Sequence, residues 1–242
     1  MNQAFVKGRP PADSLALRSE AGEARQVARQ GLGKLLAAKQ ERPFVELCCA
    51  IEARRTPMAN VIVQFTAPVA GTGTTTAASG YARVAAVQSY QPVLYVAWSR
   101  PTSRRGAPSG ETTSLLEAFR RGSSLEDATV PVRDAQNLLW AQLFSGPDPL
   151  LEVGPSELNA LLSAIRARYA LTVLDCPPCN SPEAAAISRF VDGSIIVAAA
   201  NRTRKREIDE ATMRIERAGG QIVGLVFNRQ RRILPRWLDS RL

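Results

Sequence analysis

The stretch Asn60-Val-Ile-Val-Gln-Phe-Thr-Ala-Pro-Val-Ala-Gly-Thr-Gly-Thr-Thr-Thr-Ala-Ala78 decides the architecture. Its first part, Val61 to Phe65, is apolar and rich in β-branched residues, as a strand requires. A loop carrying Gly71 and Gly73 follows, and an Ala-rich helical pattern comes after it. Strand, glycine turn and helix N-terminus in that order form a phosphate-binding loop. The glycines let backbone N–H groups point at an anion, and the helix dipole adds partial positive charge. In the pattern G-x-x-x-x-G-K-[ST] a lysine follows the second glycine, and this chain has Thr74 there. Thr75 and Thr76 stand where such a loop offers a hydroxyl to Mg²⁺, and threonines at this position also serve as helix caps. The candidate nucleotide contacts in the loop are Gly71, Thr72, Gly73, Thr74, Thr75 and Thr76.

Downstream, short runs that are apolar throughout recur at Val93–Trp98, Leu138–Leu143, Leu171–Leu174, Ser194–Ala200 and Ile222–Phe227. Helical stretches lie between most of them, at Thr75–Gln88, Thr112–Arg121, Ser156–Tyr169, Glu183–Arg189 and Arg204–Ala218. Uniformly apolar strands suit a sheet covered on both faces, and strands alternating with helices imply βαβ units. The expected fold is α/β, a doubly wound and mostly parallel sheet flanked by helices. Gly219-Gly220 should stop the helix before the last strand, and Ser156 with Asn159 suits a helix start. Upstream, Phe44 to Arg55 reads as an amphipathic helix with Phe44, Leu47, Cys48 and Ile51 on one face. The expected organisation is an N-terminal extension over 1–42, the α/β domain over 43–235 and a basic tail over 236–242.

Composition narrows the chemistry. The 242 residues contain no histidine, which excludes His-based triads, His general bases and His metal ligands. The net charge of +9 makes an acidic partner plausible, but only four of the 31 basic residues are lysine, so an arginine-rich compositional style explains it equally well. Four cysteines occur as Cys48-Cys49 and Cys176-Pro-Pro-Cys179. A zinc site would need two adjacent ligands from the first pair, and the prolines would stiffen a redox motif, so small buried cysteines are the expected role. No apolar run reaches the roughly 18–20 residues of a membrane span, and the N-terminus carries no signal-peptide pattern. The expected compartment is the cytoplasm.

In a parallel sheet, ligands sit at the carboxyl ends of the strands. The residues there are Thr66–Thr75, Ser99-Arg100-Pro101, Asp175-Cys-Pro-Pro178, Asn201–Arg204 and Asn228-Arg229. Asp175 closes an apolar run, in the place of an acid that holds Mg²⁺ through water. Asn228 and Arg229 join the candidate nucleotide contacts.

Taken together these segments resemble the bacterial tyrosine kinases of capsular and exopolysaccharide export, which are MinD/ParA-like P-loop ATPases. Residues Thr66 to Ala78 are similar to the family's T-S-x-x-P-G-E-G-K-[ST]-T-T-A loop. Val93-Leu-Tyr-Val-Ala-Trp-Ser-Arg-Pro101 resembles its V-L-L-I-D-x-D-x-R-x-P motif. Leu171-Thr-Val-Leu-Asp-Cys-Pro-Pro178, Val191-Asp-Gly-Ser-Ile-Ile-Val197 and Gly224-Leu-Val-Phe-Asn-Arg229 resemble its remaining ordered motifs. The resemblance covers about residues 44 to 230. It implies ATP or ADP with Mg²⁺ as cofactors, with Thr75 and Asp175 toward the metal, and Asp175 as the catalytic residue only if the protein is active.

The departures are concentrated in the charged positions. Thr74 replaces the lysine, and Ala97 and Ser99 replace the two acids of the second motif. The oligomerisation motif E-x-x-R-x-x-R reads Glu46-x-x-Cys49-x-x-Glu52, and no tyrosine follows Arg229. The expectation is a degenerate, catalytically inactive member acting as regulator or scaffold in exopolysaccharide, capsule or holdfast assembly. Its implied partners are the cytoplasmic part of a chain-length-determinant (polysaccharide co-polymerase) membrane protein and, as homo- or hetero-oligomer, a related ATPase. Recruitment would be to the inner face of the inner membrane, with Arg229, Arg231, Arg232 and Arg236 facing acidic headgroups, and no specific nucleic acid is expected. Two alternatives stay open: an active kinase or ATPase in which Arg100 or Arg202 replaces the lysine, and a ParA/MinD-like positioning protein on DNA or membrane.

Overall fold

The computed structural model describes residues 42–49, 51, 60–98, 113–133, 135–146 and 149–229. The chain divides into two units, Met1–Pro43 and Phe44–Leu242, and the architecture below belongs to the second. Most of the expected N-terminal extension, the basic tail, Ser99, Arg100, Arg231, Arg232 and Arg236 lie outside the described residues.

Seven strands form one sheet: β1 (Val61–Thr66), β2 (Val93–Ala97), β3 (Thr129–Pro131), β4 (Leu138–Gln142), β5 (Leu171–Asp175), β6 (Gly193–Ala199) and β7 (Ile222–Asn228). Their order across the sheet is β3-β4-β2-β5-β1-β6-β7. All neighbours run parallel except β3, which is antiparallel to β4. The helices are α1 (helical backbone at 42–49), α2 (Thr74–Gln88), α3 (Leu115–Arg120), α4 (Pro149–Glu152), α5 (Pro155–Arg168), α6 (Glu183–Ser188) and α7 (Lys205–Arg217).

The uniformly apolar strands are explained by two covered faces. Val61, Val63 and Phe65 of β1, with Val93, Tyr95 and Ala97 of β2, pack under α2 and the Phe44, Leu47, Cys48 and Ile51 side of the first helix. Ile62, Leu94 and Val96 face the other way, against Leu115, Leu161, Leu162 and Ile165. Alternate residues of one strand thus feed two cores, as the pleat dictates. Two buried polar side chains on this sheet pair with each other: the Gln64 Nε2 donates to Ala184 O (2.8 Å) and the Ser194 hydroxyl to Gln64 Oε1 (3.1 Å), whereas the buried Thr172 hydroxyl of β5 has no hydrogen-bond partner among the described residues.

Four details differ from the sequence reading. The three-residue edge strand β3 carries no periodic signal and was not expected. β7 is not covered on both faces; as the opposite edge strand it leaves Leu225 42% and Phe227 51% exposed. Helix α5 begins at Pro155 after Gly154, with no side-chain cap, so Ser156 lies inside its first turn. In α2 the cap position is Gly73 in the left-handed region, and Thr75 and Thr76 lie within the first turn. The stop at Gly219-Gly220 is as expected, with Gly219 at φ +85 and Gly220 N–H donating to Ile215 O at 2.9 Å.

The approach of the first helix to α2 depends on Gly80. A Cβ there would lie 2.5 Å from two atoms of the Phe44 ring. Glycine inside a helix otherwise costs about 1 kcal/mol relative to alanine. Gly80→Ala should therefore destabilise the native protein yet stabilise the Phe44→Ala variant by up to about 1 kcal/mol, and urea unfolding of the four-member cycle reads the change of sign.

Candidate functional site

The parallel register brings the carboxyl ends of five strands to one level. Ala97 and Phe65 each stand opposite Asp175, Thr66 opposite Ile196, and Ala199 opposite Asn228. The loop after β1 meets the turns that follow β5, β6 and β7, which brings part of the expected constellation together; beyond Trp98 the turn after β2 lies outside the described residues.

The loop itself is held by its neighbours. Gly71 and Gly73 adopt φ +78 and +91, conformations that side chains rarely take. A Cβ on Gly73 would lie 2.2 Å from the Asn228 amide nitrogen. That nitrogen donates to Thr72 O at 3.0 Å, while Asn228 Oδ1 accepts from Arg229 N–H at 2.8 Å. Asn228, a candidate ligand contact, thus has both side-chain polar atoms engaged in fixing the loop. Thr72 is buried, and its hydroxyl lies 3.2 Å from that of Thr74 at the first position of α2. Thr75, Thr76, Gly71 and Arg229 are exposed, so solvent reaches the mouth of the loop.

Asp175 ends β5 beside this loop. Its Oδ2 accepts the Tyr95 phenol O–H at 2.8 Å, and the Thr75 side chain approaches the same carboxylate. Burial nevertheless raises the carboxyl above the ordinary aspartate range, outweighing both contacts. The Tyr95 phenol is pushed far above its usual value, first by burial and then by the neighbouring carboxylate, so it remains a proton donor. Tyr95 was not among the sequence-derived candidates. Its one signal is an aromatic hydroxyl within the aliphatic run of β2, on the same face as Ala97 and two residues before it.

The Cys176–Cys179 turn buckles the end of β5 onto the end of β1. Cys176 N–H donates to Phe65 O (2.9 Å), Cys179 N–H to Ala67 O (2.7 Å), and the Thr66 hydroxyl to Pro177 O (2.7 Å). Both thiols are free and buried, and burial pushes both up in pKa, as inert structural cysteines require. Cys48 is buried as well, whereas Cys49 is exposed, in contrast to the expectation that the cysteines are buried.

Of the two arginines considered as substitutes for the missing lysine, Arg202 is within the described residues. Its Nη1 lies 4.0 Å from the place of a Cβ on Gly71, and its side chain is exposed. It therefore projects a guanidinium over the outer lip of the loop.

A Mg²⁺ ion requires several oxygen ligands in near-octahedral array. At this site Asp175 supplies the carboxylate, whose Oδ2 already accepts the Tyr95 O–H, and the facing position holds the buried methyl of Ala97. No group of three or more His, Cys, Asp or Glu side chains able to hold a metal occurs among the described residues. The residues do not fit a Mg²⁺ ion held by the protein alone; Thr75 and Asp175, the expected metal pair, lie side by side at the loop. The remaining chemistry is that of a backbone anion cradle with one flexible cation above it.

No family model matches the chain. Over 194 residues it is 25% identical to the tyrosine-protein kinase CpsD of Streptococcus pneumoniae, which spans 79% of this chain and 85% of that protein. The kinase domain of the Escherichia coli tyrosine kinase ETK superposes with a TM-score of 0.60 at 23% identity, covering 74% of this chain and 73% of that one. The septum site-determining protein MinD of Pyrococcus horikoshii, solved with Mg-ADP, gives a TM-score of 0.56 at 19% identity over 75% and 76% of the two chains. At these identities the superpositions speak for the fold, and the curated relative speaks for descent. The chain is a homologue of the CpsD/CapB bacterial tyrosine kinases, built on the P-loop ATPase fold that it shares with MinD.

Proposed function

We propose that this protein is a non-catalytic relative of the bacterial tyrosine kinases, acting as a regulator or scaffold in the assembly and export of an exopolysaccharide, capsule or holdfast. The observation that carries this reading is the pairing of Ala97 with Asp175 across β2 and β5, with the Tyr95 hydroxyl on the carboxylate. Phosphoryl transfer is almost wholly electrostatic, through lysine, metal and positioned acids. Removing a single such stabiliser costs a factor of roughly 10²–10³ in rate. Thr74 and Ala97 remove two of them, and the Tyr95 bond engages a third.

The scaffold role draws on what the fold retains. The sheet and the loop after β1 keep their form although the lysine and the second acid are replaced, and a scaffold needs the fold more than the chemistry. The partner in this proposal is the cytoplasmic part of a chain-length-determinant membrane protein or a related ATPase subunit. No helix among the described residues is long and apolar enough to cross a membrane, so membrane association would come through that partner or through basic surface charge. Arg202, Arg204, Lys205 and Arg206 form an exposed basic run at the β6–α7 turn, on the same rim as the loop.

A second reading is favoured by Arg202, whose guanidinium lies over Gly71 and could answer phosphate charge in place of the lysine. Under that reading ATP is bound and turned over slowly, and Arg202→Ala abolishes the turnover. Under the preferred reading Arg202→Ala changes no phosphotransfer rate, because none is present to change.

Thr74→Lys restores one missing charge and leaves Ala97 and Tyr95 in place. It should leave autophosphorylation, followed by phosphotyrosine immunoblot with Mg²⁺-ATP, within about tenfold of background, since each stabiliser still missing costs roughly 10²–10³. Robust phosphotyrosine in that single variant would overturn the non-catalytic reading. Independently, the chain should co-purify with the cytoplasmic segment of a chain-length-determinant protein co-expressed with it. Loss of that complex with the loop left unaltered would direct the search to another partner.

A further inference from the structure

At the end of β5 a carboxylate faces the phosphate-binding loop, and its expected second acid is a buried alanine. In place of a second ligand, β2 sends a phenol from two residues earlier on the same face. Tyr95 is 7% exposed, and its hydroxyl reaches Asp175 Oδ2 at 2.8 Å across the β2–β5 pair. Thr75, in the first turn of α2, approaches the same carboxylate closely enough to favour its charged form. Three elements, β2, β5 and α2, thus meet at one side chain.

We propose that the Tyr95 hydroxyl takes on Asp175 the place of a divalent cation, tying β2, β5 and the loop helix α2 together by hydrogen bonds alone, so that this site is built to work without Mg²⁺. This rests on the reading of the protein as non-catalytic.

The physical reasons are local. A donor proton and a dication compete for the lone pairs of one carboxylate, and only the cation needs several further oxygens to complete its shell. Ala97 contributes a methyl at the position where a second oxygen would be needed. Tyr95 is buried in the core on the side of the sheet that α2 covers, together with Phe65, Tyr81 and Val173, so its ring is held by packing. A charge-assisted O–H···O⁻ bond in such surroundings is stronger than its solvent-exposed counterpart. The bond also fixes the side chain that approaches Thr75, so the start of α2 keeps its orientation with no ion present.

The test uses Mn²⁺ as a paramagnetic substitute for Mg²⁺ on the 242-residue chain, with and without ADP, read by electron paramagnetic resonance. The wild type should show no bound Mn²⁺ that Asp175→Asn removes. Tyr95→Phe combined with Ala97→Asp frees one carboxylate and restores the other, and should acquire Mn²⁺ binding that Asp175→Asn abolishes again. Mn²⁺ bound by the wild type and lost on Asp175→Asn would overturn the proposal, as would a folded double variant that gains no Mn²⁺.

A second measurement holds if the double variant fails to fold. The urea midpoint of the wild type should be the same in MgCl₂ and in EDTA at matched ionic strength. Tyr95→Phe and Asp175→Asn should each lower that midpoint and combine non-additively, because they remove one bond. A Mg²⁺-dependent wild-type midpoint, or additive losses, would overturn the proposal. Wild-type Mn²⁺ binding with no phosphotyrosine formation would sink this inference alone, whereas phosphotyrosine formation would sink the functional reading beneath it.

Discussion

The carboxyl end of β1 is buried, and a buried backbone must find partners for its hydrogen-bonding groups. Here those partners come from the turn after β5, more than 100 residues along the chain. Cys176 and Cys179 give their N–H groups to Phe65 and Ala67, and Thr66 returns a hydroxyl to Pro177. This cross-linking holds the loop after β1 at a fixed height beside Asp175. The left-handed glycines, the Asn228 clamp on Thr72 and the start of α2 all depend on that placement. Remove the buckle and the loop has no fixed relation to the acid it faces.

The same constraint explains how a site can lose its chemistry and keep its shape. The ties holding the loop are made by backbone groups, hydroxyls and an amide, and none needs a charge at the lysine position, where the Thr74 hydroxyl meets that of Thr72, or at the position of the second acid. Thr74 and Ala97 could therefore replace charged residues without unfolding the architecture. Burying a carboxylate carries a desolvation cost, which the Tyr95 O–H offsets at Asp175. The loop now defines the fold and anchors a hydrogen-bonded junction.

Much of the fold was legible because its strands are short, uniformly apolar and separated by helical patterns. That combination arises when helices cover both faces of a parallel sheet, and the six parallel strands each left it in the sequence. β3 did not, because three residues pairing antiparallel at an edge bury too little to impose a pattern. The exposure of Leu225 and Phe227 was equally hidden, since an edge strand and a central strand can share one composition. Within the site, the glycine loop and Asp175 were readable as local motifs. The Tyr95–Asp175 bond spans 80 residues and the Asn228–Thr72 bond 156, and both exist only once the register is set. Asn228 was legible as a strand-end residue, whereas its bond to the loop backbone at Thr72 was not.

The central claim is that the fold of a tyrosine kinase persists here without its phosphotransfer chemistry. The most direct measurement is the release of inorganic phosphate from radiolabelled ATP with Mg²⁺ by the purified 242-residue chain, run beside its Asp175→Ala variant. The account predicts release at the buffer background and no difference between the two proteins. Release above background by the wild type that disappears in Asp175→Ala would contradict it.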